Sequence, residues 1–426
     1  MSVDDVRGAS RRGFLQSAGL LAAAAGLAPA SPAVAHERDA PAPKQTNNIE
    51  PFHGARQGGI LTPAQRHSYF AALDLDTPKR DDVITMLRGW TEAAAALTRG
   101  DPPPSAADAS YTTEPGTDAL GIGPSRLTLT FGFGAGLFTR DGKDRYGLGN
   151  ARPEALIDIP RFPGDQLIEA RAGGDLSIQA CADDPQVAFH AIRRLTQLAW
   201  GTARIRWAQT GFLPHTGAGE TPRNLMGFKD GTSNLGANDE TGLAKFVFVG
   251  SDGPAWMQGG SYVMTRRILI ALEHWDRMRV AFQEQTFGRQ RMSGAPLGKT
   301  DEFDAVDLAA TDKDGNAVMP LNSHVRLANA GSNDGARILR RPYSFNDGVT
   351  YTAERWPPWR QGMEYDAGLF FVCYQRDPRE GFVKIFSKLA RLDMLNQFAT
   401  HTGGGLFACP GGIAPGEFVG EKLFSA

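Results

Sequence analysis

Two stretches of the chain follow the same plan. DLSIQACADDPQVAFHAIRRL (175–195) and GLFFVCYQRDPREGFVKIFSKL (368–389) each run an apolar strand with a central cysteine into Asp-Pro. In each, a phenylalanine lies four residues past the proline, inside an amphipathic helix: Phe189 in the first and Phe382 in the second. Asp-Pro is a helix start, because proline's missing N–H costs nothing in the first turn and the aspartate can cap it. A strand–helix unit repeated this far apart predicts two similar α+β domains.

The surrounding pattern extends that reading. In the first half, strands are predicted at 67–76, 127–134, 175–182 and 203–212, the second by the period-two alternation of LTLTFGFG. A helix over 80–98 puts Val83, Leu87, Trp90, Ala94 and Leu97 on one face, and a second helix covers 185–200. Strand-helix-strand twice over is a ferredoxin-like layout. The second half repeats the order with strands at 260–272, 337–345, 367–375 and 404–409 and helices near 277–285 and over 380–398. The expected architecture is α+β, two ferredoxin-like domains of the dimeric α/β-barrel type, with boundaries at 51–215 and 216–426. Residues 288–335 are polar and glycine-rich, either disordered or a site-building insertion.

Composition excludes some functions. With 22% charged residues and a net charge of -2, the chain offers no basic field for nucleic acid and no polybasic membrane patch. Three cysteines, Cys181, Cys373 and Cys409, lie singly in apolar runs and read as small buried residues rather than disulfides. SRRGFLQ, an uncharged alanine-rich run and Ala33-Val34-Ala35 form a charged region, a short apolar region and a small-residue cleavage site. Arg11-Arg12 before Phe14-Leu15 resembles a twin-arginine export signal. Residues 1–35 are therefore expected to be a signal peptide and 36–50 a flexible leader. The location is then periplasmic or extracellular, with no stable membrane anchor.

Chemistry has few candidate groups. No metalloprotease helix, phosphate loop or nucleophile elbow is present, and GFGAG (132–136) reads as a turn. One motif stands out: NLMGFKDGTSNLG (224–236) places Gly227, Gly231 and Gly236 around Lys229 and Asp230. Of the eight histidines, His324 is set apart by lying in an extended segment of the long loop before a strand that carries Arg340 and Arg341. Neighbouring strand residues face opposite ways, so only one of those arginines can serve a given site.

Taken together these blocks resemble a known family. GFKDGTSN is similar to the GxxDG motif of the dye-decolourising peroxidases, HVRLAN to their haem-ligating segment, and ILRRPYSF to their distal-arginine strand. PFHGARQGGI, QTFGRQRMSGAPLG, GLFFVCYQRDP and GGGLFACPG also match, in family order and over nearly all of the chain after the signal. One departure is Asn329-Ala330, where the family commonly has Asn-Pro.

The resemblance implies one haem b per chain, bound mainly by the second domain. His324 would be the iron ligand, and Asp230 and Arg340 the distal catalytic pair. Arg326 would reach a haem propionate, with Asn234, Gly231 and Thr232 lining the distal side. It also implies hydrogen peroxide and an organic electron donor as substrates. Two alternatives stand beside this. Related exported proteins are described as deferrochelatases, for which haem itself is the substrate and the porphyrin is left intact. A non-enzymatic haem carrier is the other, though a carrier has no need of Asp230 and Arg340. Trp356, Trp359 and Tyr365 are candidate surface relay residues, and a homo-oligomer is compatible with the sequence.

Overall fold

The computed structural model describes residues 48–101, 117–119, 121–217, 219–353 and 361–425. The expected signal peptide and nearly all of the leader lie outside these, as do Trp356 and Trp359. Among the described residues, no helix is long and apolar enough to cross a membrane.

Nine strands build one antiparallel sheet. In chain order they are β1 (His67–Leu75), β2 (Thr128–Phe133), β3 (Leu176–Ala182), β4 (Ala203–Phe212), β5 (Ser261–Ile270), β6 (Leu339–Arg340), β7 (Tyr343–Ala353), β8 (Gln361–Gln375) and β9 (Ala399–Cys409). The spatial order is β5-β9-β2-β3-β1-β4-β7-β8-β6, and a further pairing of β5 with β8 closes the sheet on itself. Within the first half the order is β2-β3-β1-β4, and within the second β7-β8-β5-β9. Each is the ferredoxin-like arrangement, in which the first and third strands of a half are central. The halves meet at two narrow seams, Phe133 opposite Ala408 and Phe212 opposite Ser344.

Closure explains why β2 and β3 are buried along their whole length. One face meets helices α1 (Arg80–Thr98) and α2 (Pro185–Leu198), where Val83, Leu87 and Trp90 join Phe131 and Ile178. The other face fills the barrel, where Phe70 packs on Trp207, Phe370 and Phe407. All three cysteines are buried and free, as expected of small apolar residues.

Several boundaries move for local reasons. The α2 helix begins at Pro185 with Asp184 accepting from Gln186 N and Val187 N. Its counterpart in the second half opens with a π-type turn, Arg379–Val383, before the α-helix α5 (Lys384–Leu392). The wider turn rotates the residues that follow. Phe382 is 3% exposed whereas Phe189, at the matching position, is 45% exposed. The expected strand 337–345 is split into β6 and β7 around Pro342, which cannot donate to the ladder. The segment 288–335 is ordered structure packed against the 224–236 loop rather than a disordered insertion.

Candidate functional site

The loop that carries Asp230 is held from within. The Asn224 side chain accepts from Met226 N and Phe228 N at 3.1 and 3.2 Å, and Asn224 N donates to Phe228 O. Arg223 donates to Gly227 O at 2.9 Å and to the carbonyls of Arg291 and Met292 at 2.6 and 2.7 Å, fastening the loop to the insertion. Gly227 and Gly231 take φ of +86° and +132°, conformations that side chains with a Cβ rarely adopt. Gly236 has no positive φ and open space around it, so only two of the three glycines are demanded by the turn.

This turn delivers Asp230 to Arg340. The guanidinium Nη1 donates to Asp230 Oδ1 at 2.7 Å, with the side chains 16% and 27% exposed for Asp230 and Arg340 respectively. Arg340 is fixed at its backbone by Asn234, whose amide accepts from Arg340 N at 2.9 Å and donates to Arg340 O at 2.7 Å. Arg341 points the other way into the barrel, where it meets Thr62 O and Gln65 Oε1. Asp230, Gly231, Asn234 and Arg340 open on a cleft of about 260 Å³, walled by apolar side chains including Leu61, Leu213 and Leu369.

His324 stands in a different setting from the one expected. It is the first residue of a short helix, α4 (His324–Ala328), not part of an extended segment. Its Nδ1 lies 2.6 Å from Oδ2 of Asp393, a carboxylate only 3% exposed, while the imidazole itself is 34% exposed. Desolvation pushes the imidazole's pKa down, but the charge and hydrogen bond of Asp393 outweigh it and leave the value above the ordinary one. The ring also feels Arg340 and Asp230, so the two motifs act within one electrostatic neighbourhood. Phe287, the last residue of helix α3 (Val280–Phe287), lies edge-on to it, with ring centroids 6.2 Å apart, and stacks on Phe228 of the Asp230 loop.

Two of the expected residues have partners within the chain. Both terminal nitrogens of Arg326 donate to Leu308 O, at 2.7 and 2.6 Å. The Thr232 hydroxyl donates to Glu302 Oε1 at 2.9 Å. Asp393 and Glu302 were not singled out in the sequence. Asp393 falls inside the helix expected over 380–398; the helix ends at Leu392 instead, and the other oxygen of Asp393 caps the turn that follows by accepting from Leu395 N at 2.9 Å.

Comparison with known proteins gives this geometry a family. A model described as Dyp-type peroxidase, N-terminal, matches residues 57–213, and one described as Dyp-type peroxidase, C-terminal, matches residues 221–414. The chain belongs to the Dyp-type peroxidase family. It is 36% identical to the dye-decolorizing peroxidase of Thermobifida fusca, over 98% of this chain and 97% of that protein. It is also 36% identical to the deferrochelatase of Escherichia coli strain K12, over 97% of this chain and 96% of that one. The fold superposes on ferric DtpA from Streptomyces lividans with a TM-score of 0.78 at 40% identity, covering 89% of this chain and 98% of the other. A DyP-type peroxidase from Cellulomonas bogoriensis superposes with the same score at 36% identity, covering 89% and 98%.

The donor set suits haem. His324 offers one nitrogen, its other being committed to a buried carboxylate, as axial histidines commonly are. Among the described residues, no three His, Cys, Asp or Glu side chains converge on a bare ion. A single imidazole is what an iron needs when a macrocycle supplies its remaining donors.

Proposed function

We propose that this protein is a haem-dependent peroxidase that reduces hydrogen peroxide to water while oxidising organic donors such as dyes. The observation that carries the reading is the Asp230–Arg340 pair, closed at 2.7 Å; both charges act on the buttressed His324, which does not itself line the cleft the pair faces. When bound, haem supplies the iron at which the oxygen–oxygen bond of peroxide breaks. His324 would hold that iron through Nε2, with Asp393 fixing the ring by accepting the Nδ1 proton.

The chain's own residues supply the proton chemistry. Asp230 takes the proton from one peroxide oxygen and returns it to the other, which leaves as water. Arg340 keeps that carboxylate aimed and offers its remaining N–H groups to the oxygen on which negative charge grows. Asn234 and Gly231 line the cleft beside the pair.

A second reading, release of iron from haem with the porphyrin intact, is favoured by the name of the Escherichia coli relatives alone. Peroxide chemistry is favoured by the Asp230–Arg340 pair. The test is to load the purified protein with haem and measure oxidation of an anthraquinone dye with peroxide, then extract the pigment. Dye turnover with haem recovered whole supports peroxidase action. Metal-free protoporphyrin without dye turnover would overturn it.

We also read residues 1–35 as a twin-arginine signal, which sends a folded, haem-loaded protein out of the cytoplasm. Residues 51–215 and 216–426 are read as the two domains, with haem held mainly by the second.

A further inference from the structure

Asp230 stands between residues that share one partner. Lys229 forms an ion pair with Glu302, and Thr232 Oγ1 donates to Glu302 Oε1 at 2.9 Å. The Glu302 side chain is only 9% exposed. Burial pushes its pKa up, but the charge and hydrogen bond of Lys229 and the bond from Thr232 outweigh this and leave it below the ordinary carboxylate value.

The backbone around Glu302 is pinned to the same loop. Arg289, 6% exposed, donates to Glu302 O at 2.9 Å and Gly294 O at 2.6 Å, and reaches Ser233 Oγ at 3.3 Å. Gly294 lets the two segments close, since a Cβ there would lie 2.7 Å from Lys229 Cδ. The insertion thus grips positions 229, 232 and 233. Asp230 itself is held by its N–H to Pro222 O at 2.8 Å and by Arg340.

We infer that Glu302 is a positioning residue for Asp230, setting through Lys229 and Thr232 where the distal carboxylate stands over the cleft. The inference rests on Asp230 being the proton-transfer group. Its physical basis is that charge-assisted bonds to a buried carboxylate are strong and directional. The turn at Gly231, with its positive φ, follows a single antiparallel bridge, Arg223–Lys229, and belongs to no helix or named strand. Displacing a reacting group by about 1 Å can cost about 100-fold in rate.

The experiment is a double-mutant cycle on haem-loaded protein. Glu302→Gln keeps the shape and an acceptor for Thr232 but removes the charge that holds Lys229. It should lower kcat/KM for hydrogen peroxide by about 10- to 100-fold, with haem content and the KM for the organic donor unchanged. In an Asp230→Asn background the same change should cost less than about twofold, because the group it positions is gone. Hydrogen exchange over residues 224–236 of the holoprotein should be faster in Glu302→Gln. Equal losses in both backgrounds would assign Glu302 to general stability and overturn the inference. A slow Asp230→Asn beside a Glu302→Gln with normal rate and exchange overturns the inference alone. An Asp230→Asn at full rate overturns both it and the distal-base reading. Should Glu302→Gln fold poorly, Thr232→Val removes one bond and leaves the ion pair. It should show the same dependence on Asp230 at smaller size, and equal losses in both backgrounds would again overturn the inference.

Discussion

Asp230 and Arg340 touch one another, so their contributions to the reaction cannot be independent. Asp230→Asn removes a proton carrier at nearly constant shape, a loss of about 100- to 10,000-fold for groups of this kind. Arg340→Leu removes fixed positive charge, at a cost of about 100- to 1,000-fold by analogy with a lost oxyanion donor. Arg340→Leu also breaks the 2.7 Å bond that aims Asp230, and Asp230→Asn weakens it by removing the charge that assists it. The double variant should therefore be much less impaired than the product of the two single losses. Rapid mixing of each haem-loaded variant with peroxide checks this, the rate of the first spectral change being the readout, and additive losses would separate the two residues functionally. The resemblance to the family singled both residues out; the sequence alone offered Asp230 as the carboxylate among glycines and left Arg340 and Arg341 undivided. Asp393 stood out in neither. It lies far along the chain from His324, and nothing distinguishes an aspartate that caps a turn from one that also grips a histidine.

At the scale of elements, the long periodic segments were readable and the short ones were not. Helix α1 spans Arg80–Thr98 as its apolar spacing requires, and the predicted strands of the first half end within a residue or two of the observed ones. Helix α4 is five residues long, too short for periodicity to register, so His324 read as extended. The π-type turn before α5 leaves no trace in a pattern built on 3.6 residues per turn. The Asp230 loop belongs with the short elements, but its glycines mark it. Gly231, at φ +132°, has no atom closer than 3.5 Å to an added Cβ, so the obstacle to a side chain there is conformational rather than steric. Gly231→Ala should cost about 1–3 kcal/mol of stability if the loop keeps its shape. If the loop relaxes, the strain is relieved at the expense of the Asp230 position, and peroxide turnover falls instead. Thermal unfolding and peroxide kinetics on the same sample check this, and a variant normal in both would show that the turn does not need glycine.

At the scale of the molecule, closure of the sheet ties the halves together, and a buried charge cluster adds a second tie. Arg266 of β5, 2% exposed, bonds to Asp165 Oδ2 of the first half at 3.2 Å. Phe162, Phe382 and Phe386 surround its guanidinium with centroids 5.5, 5.7 and 5.8 Å away. His401 of β9 packs on Phe386 at 4.5 Å, and its backbone carbonyl accepts from Gln166 N of the first half. Burial, and then the charge of Arg266, push the His401 imidazole down to about 3. The folded protein therefore keeps this ring neutral at pH values where an unfolded histidine, with a pKa near 6.5, takes up a proton. The unfolded state binds more protons throughout that window, so stability must fall as pH falls below about 6.5, by at most about 1.4 kcal/mol per pH unit from this one group. Asp165 works in the opposite sense, because burial raises its pKa against the pull of Arg266 and the folded state is the better proton binder there. The two groups oppose one another as pH falls, and over pH 6.5 to 5.5, where a free histidine takes up its proton, replacing His401 isolates its share. The expected result is a thermal midpoint of the holoprotein that drops across that interval, and a shallower drop in His401→Gln. An equally steep drop in the variant would place the acid sensitivity elsewhere in the molecule.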